Sequence, residues 1–209
     1  MLELIMTVLS FTKAGLDEVI TEACGILRKG GIIAYPTESF YALGVLAMDE
    51  KAVKRLYELK GRPPEKPLPL IVGDMDVLMS VVKDIPDQAS ELMDRYWPGP
   101  LTLVLEAREG VSLLLTGGTG KIAVRIPGDS AALYLARALR LPITATSANP
   151  SAKPPAETAG EVIDYFGERV DLIIDAGRSL GGKPSTIVDV TVVPQQILRE
   201  GRVSLHNIE

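Results

Sequence analysis

The stretch GIIAYPTESFYALG, residues 31–44, joins an apolar segment to a polar one. Residues 31–35 are a short apolar run of the kind that forms a buried strand, and a proline closes the run because it lacks the amide hydrogen that a strand uses. Thr37 and Ser39 follow, with Glu38 between them. Hydroxyl groups at a strand end often contact ligands in open sheets, although an ordinary strand-to-turn junction has the same composition. The stretch predicts a buried strand that ends at a candidate ligand site.

Apolar runs and amphipathic segments continue along the rest of the chain. Further strands are predicted within residues 1–11, 68–72, 101–107, 121–126, 142–148, 171–176, 185–190 and 196–200. Helices are predicted from an Asp17 cap to Gly30, from an Asp49 cap to Gly61, from about Asp74, from about Pro86, and within 130–141 and 157–166. This interspersed order indicates an α/β protein of the α+β type, with a mixed sheet flanked by helices. Because no repeat or linker is evident, we expect a single domain over residues 1–209.

The composition excludes several kinds of site. Cys24 is the one cysteine and His206 the one histidine, so no His/Cys metal cluster and no Ser–His or Cys–His pair can form. We expect Cys24 to be a core residue and His206 a surface residue of the tail. The net charge of −5 opposes general attraction to nucleic acid but allows a local basic groove. With no disulfide framework and no apolar run of about 18 residues, the chain is predicted to be cytoplasmic.

A basic, proline-rich segment stands out in this acidic chain. Residues 60–70, KGRPPEKPLPL, carry three cations and four prolines. Lys60 lies at a predicted helix end, where a cation complements the helix dipole. Arg62 and Lys66 flank prolines that restrict the backbone, and cations held in this way lose less entropy when they bind a phosphate. A solvated loop and a phosphate clamp are both consistent with this segment alone.

Three later segments place polar groups beside apolar strands. In TSANPSAKPPAET, residues 146–158, small hydroxyl and amide side chains could bind a phosphate or a nucleobase, or could form an ordinary turn. Arg125 interrupts an apolar strand, and a buried arginine requires an anion from the protein or from a substrate. Ser185 begins one late strand, and Arg199 lies near the end of the next.

These segments, in this order, resemble the YrdC-like family of threonylcarbamoyl-AMP synthases. The resemblance runs from residue 30 to residue 201 through the blocks GGIIAYPTESFYALG, LKGRPPEKPL, YWPGPLTLVL, AVRIPGD, TSANPSAKPP, PSTIVDV and ILREG. It implies a YrdC-like fold, a twisted mixed sheet with a large basic concave groove. Because the chain ends soon after the last block, the additional C-terminal domain of longer members is expected to be absent.

The resemblance also implies an activity and a set of site residues. Members join L-threonine, bicarbonate and ATP into threonylcarbamoyl-AMP and pyrophosphate, and a separate complex transfers the threonylcarbamoyl group to tRNA. On this basis Lys60, Arg62 and Lys66 are the candidate catalytic residues. The L-threonine site would comprise Ser39, Arg125 and Ser185. The ATP site would comprise Lys60, Arg62, Lys66, Ser147, Asn149 and Arg199. Mg²⁺ is expected as the ion carried with ATP, with no protein metal site.

The sequence departs from the family pattern at three places. Many members have a histidine where this chain has Ile71, and a hydroxyl where it has Lys121. The usual SAN-x-SG is SANPSA here. Two other functions fit the same residues: a module that binds double-stranded RNA or tRNA without catalysis, and a YrdC-like paralogue with a related nucleotide or carbamoyl activity.

Overall fold

The computed structural model describes residues 6–12 and 14–205. The predictions for residues 1–5 and for His206 lie outside these ranges. The strands are β1 Thr7–Ser10, β2 Ile33–Pro36, β3 Tyr41–Gly44, β4 Leu70–Ile71, β5 Leu101–Glu106, β6 Lys121–Arg125, β7 Ile143–Thr144, β8 Thr146–Ser147, β9 Leu172–Asp175, β10 Thr186–Asp189 and β11 Gln196–Arg199. The helices are α1 Leu16–Arg28, α2 Glu50–Lys60, α3 Met75–Met79, α4 Asp87–Tyr96, α5 Leu113–Thr116, α6 Ala131–Leu139 and α7 Ala159–Phe166, followed by a 3₁₀ turn at Gly167–Arg169.

The predicted helix signals have mixed outcomes. The Asp49 carboxylate caps α2 by accepting hydrogen bonds from the amides of Lys51 and Ala52, and Gly61 ends the helix in the left-handed conformation. The prediction that Asp17 caps α1 is wrong: the N-cap is Gly15, two residues earlier, and Asp17 lies in the first turn of the helix. An acidic residue there still favours the helix because it complements the dipole.

The α/β class with mixed strand pairing is confirmed, but the strands form two sheets. The five-stranded sheet has the order β1-β9-β2-β3-β8, and the six-stranded sheet has the order β11-β10-β5-β6-β4-β7. Strand β3 was not predicted; it pairs antiparallel with β2 to form a hairpin from the stretch 31–44. Helices α1 and α6 pack together against one face of the five-stranded sheet.

One short segment, residues 143–147, belongs to both sheets. Its first half is β7, which pairs with β4 in the six-stranded sheet, and its second half is β8, which pairs with β3 in the five-stranded sheet. Between them, the Ala145 amide donates to the carbonyl of Pro69 over 2.8 Å. The buried Tyr35 hydroxyl donates to the Thr144 carbonyl over 2.7 Å. The two sheets therefore meet at this segment.

Cys24 is a buried residue of α1, as predicted, and packs in the core beneath that helix. Burial raises the pKa of its thiol. Within the described part of the chain, no helix combines the length and hydrophobicity that a membrane crossing requires. The single domain over 1–209 and the cytoplasmic location stay predictions.

Gly73, which follows β4, lies directly against the backbone of α6. A Cβ atom there would be 2.7 Å from the carbonyl carbon and oxygen of Ala136 and from the Cα of Arg137. Since backbone atoms cannot move aside as a side-chain end can, Gly73→Ala is expected to lower the free energy of unfolding by about 1–3 kcal/mol. Urea unfolding followed by circular dichroism measures this change.

The matched control is Gly25→Ala, within α1. A Cβ atom at Gly25 meets nothing within 4 Å, so the same substitution there should stabilise the protein by about 0.5–1 kcal/mol. Equal effects of the two substitutions would contradict the close approach of α6 to Gly73.

Candidate functional site

A cavity of about 170 Å³ lies where the two sheets meet. The five-stranded sheet contributes residues of β3 and β8, and the six-stranded sheet contributes residues of β4, β5, β6, β10 and β11. Among the described residues, three arginines line the cavity, namely Arg62, Arg125 and Arg199, and no acidic residue does. Its serines and threonines are Thr37, Ser39, Thr102, Thr146, Ser147 and Ser185. This basic, hydroxyl-rich cavity suits an anionic ligand.

Arg125 lies at the end of β6 and is only 8% exposed. Its Nη1 donates to Glu38 Oε1, which also accepts the Gly128 amide at 3.1 Å. The protein therefore supplies an anion for this arginine, one of the two sources that the sequence left open. Although burial opposes ionisation, the Arg125 charge and these hydrogen bonds hold the pKa of Glu38 below its ordinary value. The Glu38 carboxylate fixes the guanidinium that lines the cavity.

Ser39 is buried in the β2–β3 turn and lines the cavity. Its hydroxyl donates to the Lys183 carbonyl at 3.2 Å, and its own carbonyl accepts the Gly181 amide at 2.8 Å. Arg202 donates to the carbonyls of the same two loop residues. These bonds hold the loop before β10, which leads into Ser185, against the β2–β3 turn.

Ser185 and Arg199 form a connected group with Thr102, a residue that the sequence analysis did not select. The Arg199 guanidinium donates to the Ser185 carbonyl through Nε at 3.1 Å and through Nη2 at 2.8 Å. The same Nη2 is 3.1 Å from Ser185 Oγ, which is 2.9 Å from Thr102 Oγ1. Partial desolvation of the guanidinium, and then the positive charge of Arg125, lower the pKa of Arg199, although the residue as a whole is exposed. The two guanidiniums therefore repel each other across the cavity in the absence of an anion.

Lys60, the last residue of α2, is only 3% exposed. Its Nζ donates to the carbonyls of Ser147 and, at 2.6 Å, Asn149, while its own carbonyl accepts the Ser151 amide at 2.9 Å. Burial, and then the charge of Arg62, lowers the pKa of Lys60 to about 7. Lys60 therefore ties the end of α2 to the loop after β8, and it does not line the cavity.

Arg62 and Lys66 occupy different positions although they share one loop. The Arg62 side chain donates to the carbonyls of Lys66 at 3.2 Å and Pro67 at 2.9 Å, and it lines the cavity. The Lys66 side chain is exposed and is not part of the cavity lining. The structure brings Arg62 to the other candidate residues and leaves Lys66 outside.

Ser147 and Asn149 follow the same division. Ser147 ends β8 and lines the cavity, whereas Asn149 does not. The Asn149 amide nitrogen donates to the carbonyls of Pro150 at 2.9 Å and Lys153 at 2.7 Å, and its Oδ1 is buried without a hydrogen-bond partner. Asn149 shapes the loop on which Ser147 stands.

The residues that depart from the family pattern also lie outside the cavity lining. Ile71 is fully buried in the core beneath α1 and α6. Lys121 begins β6, at the opposite end of the strand from Arg125, and forms an ion pair with Asp189 at 2.9 Å. Neither substitution therefore places a new group in the cavity.

Of the nine residues that sequence reasoning selected, six line the cavity, and Lys60 and Asn149 are joined to the Ser147 segment by hydrogen bonds. Sequence reasoning missed two residues. Glu38 was noted but given no role, although its place between two hydroxyl residues could have marked it as the partner of a buried arginine. Thr102 lies in the apolar run of β5, and a lone threonine in a strand gives little signal because threonine is common in strands.

The donor groups of the site do not suit a protein-held metal ion. Within residues 6–12 and 14–205, no group of three or more His, Cys, Asp or Glu side chains could hold one. The carboxylate beside the cavity, Glu38, is already paired with Arg125.

The fold and site define an α/β protein with a basic cavity between two mixed sheets. The sequence model of the Sua5/YciO/YrdC family, described as telomere recombination, matches residues 25–201. The chain belongs to this family.

Curated relatives carry the name threonylcarbamoyl-AMP synthase. The protein from Pyrococcus abyssi is 42% identical over 205 residues, which are 98% of this chain and 60% of the relative. The protein from Idiomarina loihiensis is 43% identical over 171 residues, covering 80% of this chain and 91% of the relative. This chain thus spans less than two thirds of the Pyrococcus abyssi protein.

Solved structures have the same fold. A variant of Pyrococcus abyssi Sua5 superimposes with a TM-score of 0.92 at 40% identity, covering 96% of this chain and 62% of that one. Sua5 of the same species in complex with L-threonine gives 0.88 at 41% identity, covering 94% and 57%. E. coli YciO gives 0.84 at 30% identity, covering 96% and 97%. These matches confirm the predicted YrdC-like fold.

The buried Lys60 should make stability depend on pH in a specific window. Its pKa is about 7 in the folded protein against an ordinary value of 10.5. Between these values the unfolded chain binds more protons than the folded one, so the free energy of unfolding rises with pH. From pH 7 to 9 this rise should be about 2 kcal/mol larger in the unmodified protein than in Lys60→Met. Urea unfolding at both pH values measures it, and comparing the two proteins cancels the other titrating groups.

Lys60→Met should also be less stable at pH 9, because the carbonyls of Ser147 and Asn149 lose their donor. A pH dependence that is the same in both proteins would contradict the assignment of the low pKa to Lys60.

Proposed function

We propose that the chain is a threonylcarbamoyl-AMP synthase, which makes threonylcarbamoyl-AMP and pyrophosphate from L-threonine, bicarbonate and ATP. The observation that carries the proposal is the cavity, which among the described residues is lined by three arginines, six serines and threonines and no acidic residue. Such a lining fits a substrate set made of a triphosphate, a carboxylate and a carbamate. The names of the relatives and the Sua5 complex with L-threonine support the same substrates.

Arg125 of β6 and Arg199 of β11 would bind different substrates. Arg125, together with Ser39 and Ser185, would hold L-threonine, and Arg125 keeps its remaining donors for the carboxylate while Glu38 binds Nη1. Arg199 and Ser147 would hold the nucleotide. Asn149 would act by shaping the loop that carries Ser147.

The basic loop would neutralise the phosphates. Arg62 lines the cavity and is held by two backbone carbonyls, so its charge is already oriented when ATP binds. Lys60 lies beneath the Ser147 loop and would contribute by fixing it. Lys66 is exposed outside the cavity and would contribute through its charge near the entrance, as a weaker catalytic candidate than Arg62.

The reaction needs no protein nucleophile. The threonine amine and bicarbonate would give a carbamate and water, and a carbamate oxygen would attack the α-phosphorus of ATP and displace pyrophosphate. Holding the two reactants in line can supply roughly 7–11 kcal/mol of the barrier reduction. Fixed arginines add electrostatic stabilisation because they need not reorient as charge develops on the phosphates.

The remaining partners follow from this activity. Mg²⁺ would enter bound to the phosphates of ATP, because this ion usually has few protein ligands. A separate transferase complex would consume the product to modify tRNA in the cytoplasm. The basic cavity would also offer a surface for contact with tRNA.

Arg62→Ala should abolish formation of the adenylate while the protein remains folded, because Arg62 is half-buried and its removal empties no part of the core. Lys66→Ala, in the same loop but outside the cavity, is the matched control and should retain most of the activity. The measurement is mass spectrometry of threonylcarbamoyl-AMP with pyrophosphate release, in ATP, Mg²⁺, bicarbonate and L-threonine. A fully active Arg62→Ala protein would contradict the assignment.

The same assay separates the two other functions. Nucleotide binding without a threonine-dependent product would favour the paralogue with a related activity. Salt-sensitive binding of double-stranded RNA with no nucleotide binding would favour the RNA-binding module.

A further inference from the structure

The hydroxyls of Ser185 and Thr102 form a hydrogen-bonded pair, and the Arg199 guanidinium contacts the serine member of this pair. Ser185 Oγ lies 3.1 Å from Arg199 Nη2 and 2.9 Å from Thr102 Oγ1. In the described residues, Thr102 Oγ1 has no other hydrogen-bond partner. Thr102 is 2% exposed, while Ser185 is half-buried, and both line the cavity.

The direction of these hydrogen bonds follows from what each group can do. A guanidinium only donates, so one lone pair of Ser185 Oγ is occupied by Arg199. The two hydroxyls have two protons between them, and only one proton can lie in the bond that joins them. The other proton has no acceptor among the described residues. The pair therefore presents one unused O–H donor.

The accessible member of the pair carries this donor. If Thr102 donates to Ser185, both lone pairs of Ser185 Oγ are occupied, and its own O–H must point elsewhere. In the opposite arrangement the free proton would lie on Thr102, which is almost fully buried and could not reach a ligand as readily. Burial thus favours Thr102 as donor to Ser185 and Ser185 as donor to the cavity.

We infer that Thr102 is a positioning residue that acts through Ser185, orienting the serine hydroxyl as a hydrogen-bond donor to the carboxylate of the bound amino acid. The inference rests on the proposed function, because it takes L-threonine as the ligand. A carboxylate is the complementary group, since it only accepts, whereas an ammonium group would meet a donor. The neighbouring Arg125 and Arg199, which repel each other, favour the same charge at this point.

The test begins with two substitutions of Thr102 in the full chain. Thr102→Val keeps the shape of the side chain but removes its hydroxyl, and it should weaken L-threonine binding by about 3- to 10-fold. The KM for L-threonine should rise by a similar factor while kcat changes less than about twofold, because the bond exists before the reaction starts. Thr102→Ser, which retains the hydroxyl, should recover most of the affinity.

A double-mutant cycle separates positioning from packing. If Thr102 acts through Ser185, Thr102→Val should have little further effect in a Ser185→Ala background. Thr116→Val is the matched control for removing a buried threonine hydroxyl, since Thr116 is 2% exposed and lies outside the cavity. It should reduce stability without changing the KM for L-threonine.

A separate measurement tests whether Ser185 donates to the carboxylate of the ligand. L-Threoninol, which has a hydroxymethyl group in place of the carboxylate, should lose less affinity than L-threonine when Thr102 is replaced by valine. Equal losses for the two ligands would overturn the carboxylate assignment. Unchanged L-threonine binding in Thr102→Val, or fully additive effects in the cycle, would overturn the positioning role.

Calorimetry of L-threonine binding to the unmodified protein distinguishes failure of the inference from failure of the proposed function. Binding that is present and insensitive to Thr102→Val overturns the inference alone. No binding, with or without ATP, overturns the proposed function and the inference together.

Discussion

The sharing of residues 143–147 by both sheets is the constraint on which the site depends. A segment of five residues supplies an edge strand to each sheet, so the position of one sheet sets the position of the other. Lys60 also stabilises this joint. Its buried Nζ donates hydrogen bonds to the carbonyls of Ser147, the last residue of the segment, and of Asn149, in the loop that follows. The cavity lies at this joint, and its lining residues come from strands of both sheets.

Charge is distributed in this protein so that a net acidic chain keeps a basic cavity. Among the described residues, the one carboxylate that forms an ion pair with a cavity arginine is Glu38, and it binds a single nitrogen of Arg125. Arg62 and Arg199 are held by backbone carbonyls, which orient a guanidinium without cancelling its charge. Lys60 is kept by carbonyls too, but burial lowers its pKa to about 7, so it contributes geometry more than charge. Net charge is therefore a poor guide to what the protein can bind, because the ligand responds to the local field.

Much of the local structure was predictable from the sequence, because caps and apolar periodicity act over a few residues. The Asp49 cap and the Gly61 stop of α2 are examples. The division into two sheets was not predictable, since strand pairing joins residues far apart in the chain and the segment 142–148 looks like one strand. Strand β3 was missed because its residues follow a turn signal closely. In the site, the resemblance selected Arg62, Arg125 and Arg199, which the structure brings into one cavity, whereas Lys66 is exposed outside it. No sequence pattern reveals that Thr102 of β5 contacts Ser185, which precedes the paired strand β10.

Strand β11 forms an outer edge of the six-stranded sheet, and all four of its residues are exposed, including Arg199. An edge strand with so little burial is among the first parts of a sheet to separate locally, and its backbone amides then exchange hydrogen with solvent. An anion held by Arg199 would add its binding free energy to the closed form of this strand. Hydrogen exchange of the backbone amides of Gln196–Arg199 would then slow as more of the cavity is occupied. The exchange rate of this edge strand would therefore report ligand binding.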